Sequence, residues 1–138
     1  MAERLGLAFI LSFPTAWWSE KEGHAVGIRT FPIVAMASCG YMLVLQNMAG
    51  EGDISRVLQG LVTGIGFVGG GAIVREGNSI KGTATAASIW NTGAIGAAVA
   101  LGRLEIAIML AVLNLLTLEA LVPIKRRLDA EAESPATK

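Results

Sequence analysis

Charge is what this chain has least of. Acidic and basic residues together make up 16% of 138 positions, eleven of each sign, so the net charge is zero. Soluble domains ordinarily carry about a quarter charged residues. The basic residues are scattered, with no patch to follow a phosphate backbone, and nucleic acid is excluded as a partner. The single cysteine, Cys39, lies in an apolar run, which rules out an internal disulfide framework or a Cys-based zinc site within one chain and leaves it the role of a small buried hydrophobe. The single histidine, His24, falls in a loop with no second ligand or base pattern near it, so no catalytic constellation forms and the chain is not read as an enzyme. The length allows one domain and is too short for a cofactor domain joined to a substrate domain.

Apolar residues take the place of the missing charge, at 53% of the chain. They gather into five runs, about Leu5 to Trp18, Thr30 to Leu45, Val57 to Val74, Thr83 to Leu101 and Ile106 to Ile124. The third and fourth are uncharged over 18 and 19 residues. A helix rising about 1.5 Å per residue needs roughly 20 residues to cross about 30 Å of hydrocarbon, so these two are the firmest membrane spans. The expected fold is all-α, a membrane bundle of five helices. The first run resembles a signal peptide in length, but Pro14, Trp17 and Trp18 make a poor cleavage region, and it is read as a retained helix. Trp17 and Trp18 fit either a headgroup-level aromatic belt or plain core packing.

Five spans put the termini on opposite sides. Lys21, Arg29, Arg75, Lys81, Lys125, Arg126 and Arg127 fall on one side, and Arg4, Arg56 and Arg103 on the other. Cytoplasmic loops retain positive charge, so the C-terminus is expected inside and the N-terminus outside. The domain is expected to span residues 1–127, with 128–138 a short polar tail that frays or is disordered.

Gly64, Gly66 and Gly69 spell G-x-G-x-x-G, the spacing of a dinucleotide-binding turn. Such a turn follows a strand, opens a helix and is answered by a carboxylate about 20 positions on. Here the preceding "RVLQGLVT" belongs to the same long apolar run, and no carboxylate lies near Ile89 and Trp90. In a bilayer, glycine instead lets helix backbones approach. Gly60 and Gly64, Gly66 and Gly70, Gly93 and Ala97, and Gly96 and Ala100 are each four apart, which predicts packing of the third helix on the fourth or across a dimer axis. A second reading takes Gly69-Gly70-Gly71 as a helix break that presents free backbone at membrane depth, tolerated only where protein or water covers it.

Thr85, Ser88 and Thr92 fall on one face of the fourth helix, with Asn91 beside them. An unpaired amide is costly in hydrocarbon, so Asn91 requires a partner across the bundle. Two roles remain for it, an interhelical bond that fixes packing or the lining of a solute path. Glu119 near the end of the last run is read as reaching the interface toward Arg126 and Arg127. Asp53 and Arg56 read as an N-cap and a first-turn partner, and Arg29 as snorkelling to headgroups or bonding an acidic loop residue. A Mg²⁺ ion needs oxygen ligands, and the only acidic pairs, Glu51 with Asp53 and Glu20 with Glu22, are explained equally well as solvated loops, so no cofactor is assigned.

"GIRT" (Gly27 to Thr30), "DISR" (Asp53 to Arg56), "GIGFVGGGAIVREG" (Gly64 to Gly77) and "IKGTATAASIWNTGAIGAAVALG" (Ile80 to Gly102), in this order, resemble the transmembrane domain of the MgtC/SapB family over about residues 20 to 105. The resemblance implies a multi-pass bacterial inner-membrane protein linked to growth or survival under magnesium limitation and, in pathogens, inside host phagocytes. It also implies action on a membrane ATPase or ATP synthase, or on membrane potential, as for some members. It marks Glu20, Lys21, Arg29, Thr30, Asp53, Arg56, Gly64, Gly66, Gly69, Gly71, Arg75, Glu76, Lys81, Thr85, Ser88 and Asn91 as candidate functional positions. The family's acidic-basic-acidic triplet at the end of the first helix is matched by Glu20-Lys21-Glu22 if two residues are deleted before "GIRT"; without the deletion its place falls on Trp18 and Ser19. The expected partners are membrane lipid and a second copy of the chain.

Overall fold

The computed structural model describes residues 1–23, 26–46, 51–77 and 79–133. His24 and residues 134–138 lie outside them, as do the side chains of Glu51, Asp53, Lys125, Arg126 and Arg127. Five helices follow in order: α1 Ala2–Lys21, α2 Thr30–Gln46, α3 Glu51–Gly70, α4 Thr83–Ala100 and α5 Leu104–Glu133. The chain is all-α apart from one antiparallel hairpin between α3 and α4, with β1 at Val74–Glu76 and β2 at Ser79–Lys81.

That hairpin corrects the third apolar run, expected to stay helical to Val74. Three consecutive glycines, each about 1 kcal/mol less favourable than alanine in a helix, meet β-branched Ile73 and Val74, which favour extended backbone. The helix therefore stops at Gly70. The amides of Gly71, Ala72 and Ile73 turn back onto the carbonyls of Phe67, Gly69 and Gly70 at 3.0–3.1 Å. The helix thus breaks at the glycine run, as the second reading had it, and the three amides that follow are satisfied within the turn.

Leu104–Ile124 of α5 is, among the described residues, the one helix long and apolar enough to cross a membrane. The third and fourth runs, expected as the firmest spans, are not. The apolar part of α3 is only Ile54–Gly70, and α4 is diluted by Thr83, Thr85, Ser88, Asn91 and Thr92. Past Arg127 the backbone of α5 stays helical to Glu133.

Helix α4 is the hub and packs against each of the other four. Its small residues make this possible. A Cβ at Gly96 would run into the Ala35 carbonyl of α2, and one at Gly93 into the Ile65 side chain of α3. Around it lie Ala35, Cys39, Met42 and Ile95, all fully buried, with a second cluster of Ala16, Phe31, Ile65 and Ile89.

Small hydroxyl side chains share the interior with the apolar core, while large apolar side chains cover much of the outside. Ser12, Thr15, Ser19, Ser38, Thr85, Ser88 and Thr92 are buried, whereas Phe67 is 85% exposed and Tyr41 and Met109 each 62%. Trp17 belongs to the outside, tilted against Phe13, which stacks on Phe9, and Trp18 is half-buried.

Candidate functional site

The up-and-down succession gathers most of the singled-out motifs at one end of the bundle, where α1 and α3 finish and α2 and α4 begin. There the Glu20 carboxylate accepts the Ile28 N–H at 3.0 Å. A Cβ at Gly27 would displace that carboxylate, so the contact depends on glycine opposite it. The Ser19 hydroxyl donates to the Val26 carbonyl at 2.5 Å, and the Thr30 N–H bonds the Gly27 carbonyl at 3.1 Å as α2 starts. Glu20 and the "GIRT" turn are thus one capped unit. Arg29 is exposed on this turn. Lys21, in the last turn of α1, faces outward and lines a groove of about 530 Å³ that also carries Trp17, Trp18 and Glu119.

The hairpin carries the next three charges. Arg75 Nε donates to the Gly77 carbonyl at 3.1 Å and steadies the turn, where Gly77 holds a φ of 60°. Lys81 Nζ meets Glu76 Oε2 at 2.5 Å. Lys81's hydrogen bond, and then its charge, holds the Glu76 carboxyl below its ordinary value. The chain enters α4 through Gly82 at φ 85°, pressed against the Ala72 carbonyl, a place no side chain fits. Gly69 approaches the Ala86 carbonyl of α4, where a Cβ would stand at 3.0 Å, and one on Gly71 would stand 3.3 Å from the Val68 carbonyl.

Deeper in the bundle a seam of small polar side chains joins α1, α4 and α5. Ser88 Oγ donates to Asn114 Oδ1 at 3.2 Å, and Asn114 Nδ2 donates to Thr15 Oγ1 at 3.3 Å. Asn91 Nδ2 donates to the Leu110 carbonyl at 3.2 Å, the cross-bundle partner its burial demanded. Thr92 Oγ1 bonds the Ser88 carbonyl at 2.7 Å. Among the described residues no sealed side-chain polar atom lacks a partner. Thr15 and Asn114 were not anticipated. Asn114 carries the same signal as Asn91, an amide inside an uncharged run, and was legible on that ground. At the opposite end Arg4 Nη1 donates to the Ala100 carbonyl at 2.6 Å, closing the C-terminus of α4, and reaches Gln46 Oε1 at 3.3 Å.

Asp53 and Arg56 are not brought to this site. They lie near the start of α3, at the far end of the bundle, and because α3 begins at Glu51, Asp53 sits inside its first turn instead of at an N-cap. Arg56 lines an apolar groove of about 480 Å³ between α2 and α3, together with Gly60 and Gly64. Gly60, Gly64, Gly66 and Gly70 have nothing within 4 Å of where a Cβ would stand. Contact of α3 with α4 runs instead through Gly69, Gly93 and Ile65. The G-x-G-x-x-G spacing lies wholly inside α3, in the middle of a helix and not at the start of one, so the dinucleotide reading fails on geometry. Among the described residues no three His, Cys, Asp or Glu side chains gather as metal ligands.

The sequence profile of the MgtC family matches residues 5–127, nearly the entire bundle. The chain belongs to the MgtC family. It is 31% identical over 137 residues to the protein SrpB of Synechococcus elongatus, covering 89% of this chain and 75% of that one. It is 35% identical over 126 residues to YhiD of Escherichia coli K12, a candidate magnesium transporter by name, covering 84% of this chain and 58% of YhiD. It is 28% identical over 125 residues to the MgtC protein of Brucella abortus, covering 91% of this chain and 52% of its relative. This MgtC-family chain therefore spans between about half and three quarters of the length of these relatives. No solved structure matches it.

Proposed function

We propose that the chain is a non-enzymatic, multi-pass protein of the bacterial inner membrane, with its N-terminus outside and its C-terminus in the cytoplasm. It acts in magnesium limitation or membrane-energy homeostasis by modulating a partner membrane complex. The apolar exterior of the bundle supports the membrane placement, since large apolar side chains such as Phe67, Tyr41 and Met109 face outward where lipid would solvate them. Membership of the family and the name of its relative YhiD support the magnesium connection. A membrane ATPase or ATP synthase is the partner class that the family resemblance implies.

The observation that favours modulation over conduction is the seam. Asn91, Ser88, Asn114 and Thr15 take their partners from within the bundle, which is how a polar cluster that fixes packing is arranged. The face of α3 that carries Gly60 and Gly64 is left uncovered, as a surface for a second copy or another helix would be. The rival reading, a conduit past Asn91 and the glycine-rich helix, draws on the name of YhiD.

Proteoliposomes distinguish the two. Absence of ion or solute flux, together with a membrane complex that copurifies, supports modulation. Saturable flux that Asn91→Ala abolishes overturns it in favour of the conduit. Leucine at Gly64 and Gly70 should reduce the oligomer in detergent, and unchanged size would defeat the dimer.

A further inference from the structure

The capped "GIRT" turn and the hairpin flank a cavity of about 300 Å³, lined by Gly23, Val26, Ala72, Val74, Glu76, Lys81, Gly82 and Thr85. Gly82 and Thr85 bring the start of α4 to its wall. No side chain caps that helix, and the first amide to find a partner is that of Ala86, bonded to the Gly82 carbonyl at 2.8 Å. The N–H groups of Thr83, Ala84 and Thr85 are thus without an intrahelical acceptor, at the end of the helix where the dipole favours negative charge.

Thr85 supplies an independent observation. It is only 6% exposed, and its hydroxyl makes no hydrogen bond to any described residue, although Ser88 and Thr92 on the same face both do. Every sealed polar side-chain atom among the described residues has a partner, so the unpaired Thr85 hydroxyl is not sealed, and the space it borders is this cavity. A hydroxyl that opens on this space without a protein partner is a donor that a bound acceptor can use. Lys81 at the rim adds positive charge. Its ammonium has three donors, of which the Glu76 carboxylate engages one oxygen at 2.5 Å, so it is free to hold a second anion.

We propose that this cavity binds a small oxyanion, a phosphate group held by the Thr85 amide and hydroxyl and by Lys81. The inference goes beyond the proposed function and stands whether the protein modulates or conducts. The donor set is that of an anion site at a helix N-terminus, with the hydroxyl adding orientation that the dipole alone does not give. The phosphate is that of an anionic lipid headgroup or of a free phosphate, since the charged end of a membrane bundle meets both.

The full chain in neutral detergent is titrated with inorganic phosphate by calorimetry, and in parallel reconstituted into nanodiscs of phosphatidylcholine with and without phosphatidic acid, with lipid retention read by native mass spectrometry. Saturable phosphate binding identifies the free anion, and selective retention of phosphatidic acid identifies the headgroup. In either arm Thr85→Val and Lys81→Met should each weaken binding about tenfold or more, because each removes a hydrogen bond to a charged group. Arg75→Gln, on the same hairpin but outside the cavity, should leave affinity within about twofold. Glu76→Gln should strengthen binding by freeing Lys81 and removing a like charge. Thermal unfolding of each variant confirms that the fold persists. Binding in neither arm, affinity indifferent to Thr85→Val, or weaker binding in Glu76→Gln overturns the site.

Discussion

Asn114 of α5 donates its amide to the Thr15 hydroxyl of α1, 3.3 Å away and 99 positions earlier, while its carbonyl accepts from Ser88 of α4. One side chain ties the first and last helices to the hub. In hydrocarbon, association has little hydrophobic drive, so such bonds and close packing carry much of the specificity.

Asn114→Leu removes both bonds and leaves Thr15 and Ser88 without them. The expected loss is about 1–2 kcal/mol, the sum for two interhelical hydrogen bonds of about 0.6–1 kcal/mol each. It is read as a lower unfolding midpoint in detergent. Asn91→Ala, which removes one bond to the Leu110 carbonyl, should cost about half as much. Equal stability of Asn114→Leu and the parent would show that the seam does not hold the bundle.

Glycines in this chain divide by what stands opposite them, and mutation should reveal the division. At Gly96 an added methyl meets the rigid backbone carbonyl of Ala35, so Gly96→Ala should cost about 1–3 kcal/mol through forced separation of α2 and α4. At Gly60 nothing lies within 4 Å, so Gly60→Ala should be neutral, or stabilising by up to about 1 kcal/mol through helix propensity. Denaturation of the purified variants separates the two, and a comparable loss at both positions would contradict the packing described for α4.

The division also shows what the sequence made legible. Four-residue spacing of Gly93 with Ala97 and Gly96 with Ala100 marked a helix face built for close approach, and that face is buried. The same spacing at Gly60 and Gly64 looked identical on paper, but periodicity reports a face without saying which way it turns. The short hairpin was lost because Ile73 and Val74 continue an apolar run, and three-residue strands leave no alternation to read. Asn91 was legible from cost alone, since an amide in an apolar helix must be answered. Its acceptor, the backbone carbonyl of Leu110, has no side-chain signature. The joining of Glu20 to Gly27 and Ile28 needed the turn geometry as well as the residues.

Arg4 closes the other end of the hub. Its guanidinium bonds the Ala100 carbonyl at 2.6 Å, one of the last acceptors of α4, and supplies positive charge to the helix C-terminus. Arg4→Met keeps the aliphatic stem and should cost about 1 kcal/mol. Arg4→Lys should restore part of that loss. The gap between methionine and lysine should narrow in high salt. A methionine variant as stable as the parent would mean that water satisfies Ala100 equally well.

The Glu76 and Lys81 pair sets a pH dependence with a defined sign. Lys81 lowers the Glu76 carboxyl below its ordinary value of 4.5, so the ionised form is favoured in the folded hairpin. The pair's contribution is therefore fully present above that ordinary value and is lost as pH falls through the lower folded value. Both side chains are more than 60% exposed, so the stabilisation is small and screened by salt. The titration itself is the better observable. Carboxyl carbon resonances should show Glu76 titrating below an ordinary glutamate at low ionic strength, and Lys81→Met should return it to the ordinary value. Raising the salt concentration should move the parent's midpoint in the same direction, because screening weakens the charge attraction that adds to the hydrogen bond. A midpoint unchanged by Lys81→Met would mean the contact does not persist in solution, and the rim of the α4 cavity would then lack the fixed ammonium that its geometry assigns.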